Sequence, residues 1–148
     1  MTIAKLCKTG FVLAAMVAGI SGCGSMQPGN MVTFTARMSG ASEVPAVRTD
    51  GTGMVEASLN KDTQVLKWKI TYSGLSGPAA AAHFHGPAAA GSNAGVVVPF
   101  ASAASPIEGQ ATLTPAQVAD LMAGKWYANV HTAANKGGEI RGQMMPGM

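Results

Sequence analysis

The stretch QVLKWKITYSG, residues 64–74, alternates apolar with polar side chains along its length. Its large apolar residues share one side, and they are Leu66, Trp68, Ile70 and Tyr72. Successive side chains of a β-strand point to opposite faces, so this pattern predicts a strand with one face in a core. The preceding stretch GMVEASLN, residues 53–60, predicts a second strand. With a tight turn at Asn60-Lys61-Asp62, residues 51–73 predict a β-hairpin.

The same strand pattern extends on both sides of the hairpin. VTFTARMSG, residues 32–40, alternates with period two. Further short strands are predicted in AHFH, GVVVPF, IEGQATL, KWYANVHT and GGEIRGQMM. A single helix is predicted at about residues 115–123, because Thr114 and Gln117 form a capping box around Pro115. Seven or eight short strands with one helix predict an all-β fold, a Greek-key antiparallel β-sandwich or barrel.

The amino-terminal segment has the pattern of an export signal. MTIAKLCK is basic, and GFVLAAMVAGI, residues 10–20, is an uncharged apolar run too short to span a bilayer permanently. The following ISGC resembles a bacterial lipobox, which implies cleavage before Cys23 and attachment of lipid to its thiol. An ordinary signal peptide with a chance cysteine is the alternative.

These signals divide the chain into three parts. They are a lipoprotein signal peptide (1–22), a lipidated Cys23 with a flexible tether (23–31) and one domain (32–146). We expect export through the inner membrane and a lipid anchor in the bilayer through Cys23. Gly24, rather than aspartate, follows the cysteine, so we expect the outer membrane as the final location.

Charge and cysteine content narrow the classes of function. Removal of Lys5 and Lys8 with the signal lowers the basic count from 10 to 8, against 7 acidic residues. The sequence has no cluster of lysine and arginine, so a nucleic-acid partner is not expected. Cys7 leaves with the signal and Cys23 carries lipid, so a soft-metal site in the domain must use histidine or methionine.

The three histidines of the chain lie in two short stretches. His83 and His85 belong to AHFHGPA, residues 82–88, and would share one face of a strand. His131 ends the stretch NVH and precedes a glycine-rich loop. Imidazoles without a thiolate favour copper or zinc. The alternative is that the three residues are structural or scattered surface histidines.

Two long stretches carry a family resemblance. They are AAAAHFHGPAAAGSNAGVVVPF, residues 79–100, and ATLTPAQVADLMAGKWYANVHTAANKGGEIRGQ, residues 111–143. Together with FTARMSGASEVPAV, residues 34–47, they resemble the CHRD domain first described in chordin. The resemblance covers about residues 32–143 and implies a secreted or envelope domain whose biochemical role is loosely defined.

The order of a hairpin, H-x-H, V-H, a glycine-rich loop and an arginine resembles copper/zinc superoxide dismutase more distantly. This resemblance implies a superoxide-dismutase-like fold, with an immunoglobulin-like sandwich as the alternative. It also implies copper ligands at His83, His85 and His131 and an anion guide at Arg141. The zinc ligands of that family would need further histidines, so no zinc subsite is expected here.

Two more polar residues could hydrogen-bond to a metal-binding histidine and hold its orientation, namely Asn129 and Glu139. Arg141 could instead be a structural partner of Glu139 or Glu43. The preferred function is copper binding, for copper handling or a weak dismutase-like reaction. The alternative is a non-catalytic protein-binding or structural envelope module, with an unidentified partner contacting the loop at residues 86–95.

Overall fold

The computed structural model describes residues 30–147. Over this range the chain forms nine strands and one α-helix, α1 (Pro115–Met122), with a short 3-10 turn at Gly40–Ser42. The strands are β1 (Met31–Ser39), β2 (Thr52–Asn60), β3 (Val65–Ser73), β4 (Ala79–His85), β5 (Val96–Pro99), β6 (Ile107–Thr112), β7 (Tyr127–Thr132), β8 (Ile140–Gln143) and β9 (Met145–Pro146). The predicted signal peptide, Cys23 and residues 24–29 of the predicted tether lie outside the described residues.

All strand pairs are antiparallel, and the strand order is β5-β4-β7-β8-β1-β2-β3-β6, with β9 beside β1. The sheet folds over so that its two halves share one core. Trp68 of β3 packs edge-on against Phe84 of β4, with ring centroids 5.2 Å apart, and Phe100 packs against both rings. The prediction of an all-β antiparallel sandwich or barrel with one short helix is confirmed.

The alternation in the hairpin and in β1 corresponds to burial. Phe34, Ala36 and Met38 of β1 are buried, and the larger apolar residues of β3 face the same core. The hairpin turn is one residue longer than predicted, because β3 begins only at Val65. The side chain of Asn60 accepts hydrogen bonds from the backbone N–H groups of Asp62 and Thr63, which closes this longer turn.

The helix begins as its sequence predicts. The backbone N–H of Gln117 donates to Thr114 Oγ1 at 3.2 Å, and that of Thr114 donates to Gln117 Oε1 at 2.9 Å. This capping box satisfies two N–H groups that lack partners within the helix. Leu121 is the buried residue of α1. Within residues 30–147, no helix combines the length and apolar character needed to cross a membrane.

Candidate metal centre

The three histidines converge because two adjacent strands carry them on one face. In the register of β4 with β7, Ala81 lies opposite His131 and His83 lies opposite Asn129. His83 and His85 are two residues apart on β4, so they point to the same side of the sheet. One ring nitrogen from each histidine can be chosen so that the three lie within 4.8 Å of one another. The structure thus brings together the three residues that the sequence singles out.

The three imidazoles lie close to one another. His83 Nδ1 lies 3.3 Å from His131 Nε2. The ring centroid of His83 is 5.5 Å from that of His85 and 5.0 Å from that of His131. His85 is 8% exposed, whereas the other two histidines are partly exposed. An ion would therefore approach past His83 and His131 and reach His85 last.

The two ring nitrogens of His85 have different surroundings. Its Nδ1 lies 3.0 Å from the carbonyl oxygen of Ala94. A carbonyl oxygen can only accept, so Nδ1 carries the proton and Nε2 of the neutral ring carries a lone pair. Within residues 30–147 this buried Nε2 has no hydrogen-bond partner. Buried polar atoms are usually paired, so this nitrogen points to a ligand.

His131 faces an acceptor at each ring nitrogen. Nδ1 lies 2.9 Å from the carbonyl oxygen of Lys136, and Nε2 lies 2.9 Å from Oδ1 of Asn129. A neutral imidazole has one N–H, so one of these contacts would set two lone pairs against each other. A metal ion bound at Nε2 removes the conflict. With Nδ1 held by the backbone carbonyl, Nε2 is the nitrogen available to an ion.

Burial keeps two of the imidazoles in the form that binds metal. Desolvation lowers the pKa of His83, and the charges of His131 and His85 lower it further. Desolvation also lowers the pKa of His85, against the opposing effects of the Ala94 carbonyl and the Asn129 side chain. A metal ligand must be the neutral imidazole, so a lowered pKa reduces competition from protons at neutral pH.

The 86–95 loop, between β4 and β5, supplies the carbonyl that holds His85, and Arg141 fixes this loop. Arg141 Nη2 donates to the carbonyl of Ser92 at 2.7 Å, and Nη1 donates to Asn93 Oδ1 at 3.0 Å. Both hydrogen bonds involve a charged donor, which makes them stronger than neutral ones. Arg141 is 1% exposed. Its guanidinium lies beneath the loop, and its predicted role as an anion guide stays a prediction.

Tyr127 joins Arg141 to His85. Its ring is stacked on the His85 ring with an interplanar angle of 3° and centroids 4.9 Å apart. Arg141 Cζ lies 3.4 Å from the centre of the same tyrosine ring. The backbone N–H of Ala94 donates to the tyrosine hydroxyl at 3.1 Å. Tyr127 therefore fixes the plane of the His85 ring and the position of the Ala94 carbonyl that His85 contacts.

Glu139 fixes the 133–139 loop, which presents the Lys136 carbonyl to His131. Its carboxylate is 0% exposed and accepts hydrogen bonds from five donors. These are the side chains of Thr49, Ser76, Thr132 and Asn135 and the backbone N–H of Ser76. Desolvation would raise the pKa of Glu139, but the hydrogen bonds outweigh it and lower the pKa to about 2. Glu139 thus acts on the site through the loop and makes no hydrogen bond to the histidines.

Glu43 is a second buried carboxyl near the site, with a different environment. It is 6% exposed, and among the described residues its Oε1 has no hydrogen-bond partner. Burial raises its pKa to about 7, against the opposing effect of the Arg141 charge. Both Glu43 Oε1 and Asn129 Nδ2 line the space above Gly138, whose φ is 126°. A side chain at Gly138 would collide with both atoms.

Sequence reasoning missed part of this arrangement. Tyr127 is not among the predicted site residues, although the alternation of β7 places it on the face of Asn129 and His131. That alternation was the signal that could have found it. The carbonyls of Ala94 and Lys136 are backbone atoms, and the sequence carries no signal for them.

The protein is an all-β antiparallel domain in which two adjacent strands, β4 and β7, carry a cluster of three histidines. The family model of the CHRD domain matches residues 34–144, and the chain belongs to the CHRD domain family. A search of curated proteins and a search of solved structures each gave no match.

Proposed function

We propose that this CHRD domain binds one copper ion through His83, His85 and His131 and serves in copper handling. The observation that carries the proposal is the buried Nε2 of His85, which lacks a hydrogen-bond partner within residues 30–147, in a residue that clusters with the other two histidines. A site built to hold histidines by mutual hydrogen bonds would have used that nitrogen.

The donor set fits copper on chemical grounds. Imidazole nitrogen suits copper, zinc, iron and nickel, and among divalent ions copper binds a given nitrogen site most tightly. The 3.3 Å between His83 Nδ1 and His131 Nε2 matches two ligands on one ion with bonds of about 2.0 Å. A ring that donates from Nδ1 to its loop carbonyl can present Nε2 to the ion, as in many metal sites where a second group orients the imidazole.

Copper handling suits the geometry better than a dismutase-like reaction does. An anion guide must present its charge to an approaching substrate. Arg141 is 1% exposed, and its guanidinium donates to Ser92 and Asn93. We therefore assign it the task of holding the 86–95 loop.

Lipid attachment at Cys23 and an outer-membrane location belong to the same proposal. Conversion of Cys23 to serine should release the protein from the membrane fraction.

A copper titration of the purified protein tests the proposal. We expect one ion per chain in the wild type and loss of binding in a variant with all three histidines changed to alanine. Binding to the native state alone stabilises it by about 2.7 kcal/mol at a free ion concentration 100 times Kd. The thermal midpoint should therefore rise with copper in the wild type and stay fixed in the variant.

The matched control is Glu56→Ala, because Glu56 is an exposed residue of β2 on the outer face of the sheet. It should bind copper as the wild type does. Equal affinity in the wild type and the folded triple variant would remove the proposal. The histidines would then be structural, and the exposed 86–95 loop would become the place to look for a protein partner.

A further inference from the structure

We infer that Asn129 Oδ1 is a fourth ligand of the ion, and that it makes the site prefer Cu(II) to Cu(I). This inference rests on the proposed function, because it concerns the selectivity of the same site. It changes the predicted role of Asn129 from orienting a ligand to binding the ion itself.

The position of Asn129 is that of a ligand. It lies two residues before His131 on β7 and opposite His83 on β4, so it shares the face of the histidines. Its side chain is 3% exposed. Oδ1 lies 2.9 Å from His131 Nε2. Two ligands at right angles on an ion with bonds of about 2.1 Å are separated by about 3 Å, so the observed separation also fits two ligands of one ion.

The tautomer of His131 decides what lies between its Nε2 and Asn129 Oδ1. In the tautomer that donates from Nδ1 to the Lys136 carbonyl, Nε2 and Oδ1 are both acceptors. A cation between them satisfies both lone pairs at once. His85 of β4 belongs to the same cluster, and its buried Nε2 has no hydrogen-bond partner among the described residues.

The neighbours of Asn129 Nδ2 bear on the orientation of the amide. Asn129 Nδ2 faces the carbonyl of Gly137 at 3.5 Å and lies beside the Glu43 carboxyl. Rotation of the amide by 180° would set Oδ1 against these acceptors. In the structure the oxygen faces His131.

The oxygen decides between the two oxidation states of copper. Cu(I) is a soft ion and is satisfied by three imidazoles, whereas Cu(II) takes tetragonal sites of nitrogen and oxygen donors. The amide oxygen is a hard donor. As a fourth ligand it raises the affinity for Cu(II) and changes the affinity for Cu(I) little. Removal of Oδ1 should therefore weaken Cu(II) binding selectively.

The test compares Asn129→Ala with the wild type, using Cu(II) in air and Cu(I) under anaerobic conditions, each against a competing chelator. We expect Cu(II) affinity to fall by about 10-fold or more and Cu(I) affinity to change by less than about 3-fold. Zn(II), a divalent ion without redox chemistry, should follow Cu(II). The Cu(II) electron paramagnetic resonance spectrum should also change, because the donor set loses an oxygen.

Two further variants keep the test decisive. Gln110→Ala is the control, because Gln110 is an exposed amide residue of β6, a strand that carries no histidine. It should leave the Cu(II) spectrum unaltered. Asn129→Asp retains an oxygen at the same place and should maintain or raise the ratio of Cu(II) to Cu(I) affinity, even if the alanine variant does not fold.

The outcomes separate the two proposals. A wild type that binds no copper refutes the proposed function and this inference together. A wild type that binds copper, with Asn129→Ala weakening both oxidation states equally, overturns only the fourth ligand. A lower Cu(II) to Cu(I) ratio in Asn129→Asp overturns it as well.

Discussion

Conversion of Glu139 to glutamine should destabilise the protein strongly at neutral pH and hardly at all in acid. Folding lowers the pKa of this carboxyl from 4.5 to about 2, because its hydrogen bonds outweigh the cost of burial. That difference corresponds to about 3 kcal/mol of folding free energy at pH 7. Glutamine removes the charge and places an N–H donor opposite the amide donor of Asn135. We therefore expect a loss of about 3 kcal/mol at pH 7.

The pH dependence distinguishes loss of the carboxylate charge from poorer packing of the glutamine side chain. A depressed pKa stabilises the folded protein fully above 4.5, and the stabilisation is lost as pH falls toward 2. The difference between wild type and Glu139→Gln should therefore be constant from pH 6 to 7 and shrink below pH 4.5. Urea denaturation followed by the fluorescence of the buried Trp126 measures it. Glu108→Gln, at an exposed site on β6, is the control. A difference under 1 kcal/mol, or one independent of pH, would refute the reasoning.

Two further predictions concern the neighbouring charges. Glu43→Gln should stabilise the protein by about 2 kcal/mol at pH 8 and have little effect below pH 4.5, because a pKa raised to about 7 makes ionisation of Glu43 costly to the fold as pH rises. Denaturation at pH 8 and pH 4 checks this, and equal shifts at both would contradict it. Arg141→Gln should weaken copper binding about 10- to 100-fold by releasing the 86–95 loop, with Arg141→Lys in between because lysine lacks the planar fork. Titration of both variants measures the effect, and unchanged affinity would exclude a positioning role for Arg141.

Local patterns predicted the strands well, because alternation depends only on which residues face the core. β1 and the hairpin of β2 with β3 follow their apolar residues closely, and the capping box places the start of α1. The carboxyl-terminal strand was predicted as one element, but the chain forms two short strands, β8 and β9. Met144, between them, is buried and its N–H donates to the carbonyl of Trp126. That interruption depends on tertiary contacts.

For the candidate site, too, one part follows from local sequence and the other depends on tertiary contacts. The common face of His83 and His85 follows from their spacing, and it could be predicted from four residues of sequence. The place of His131 beside them depends on the pairing of β4 with β7, which are more than 40 residues apart. Only the family resemblance suggested it. The acceptors that fix the imidazoles are loop carbonyls, whose positions depend on Arg141 and Glu139 folding into place.

The strand order has a consequence for how quickly an ion can be taken up. β4 lies between β5 and β7, and β7 lies between β4 and β8, so both histidine-bearing strands are hydrogen-bonded along both edges. The entropy lost in arranging the ligands is therefore lost when the sheet forms, and little remains to be lost on association. Amide hydrogens of residues 83–85 and 128–130 should exchange slowly with solvent already in the metal-free protein. Uptake then proceeds without local unfolding, at a speed governed by desolvation of the ion and its passage beside His83 and His131.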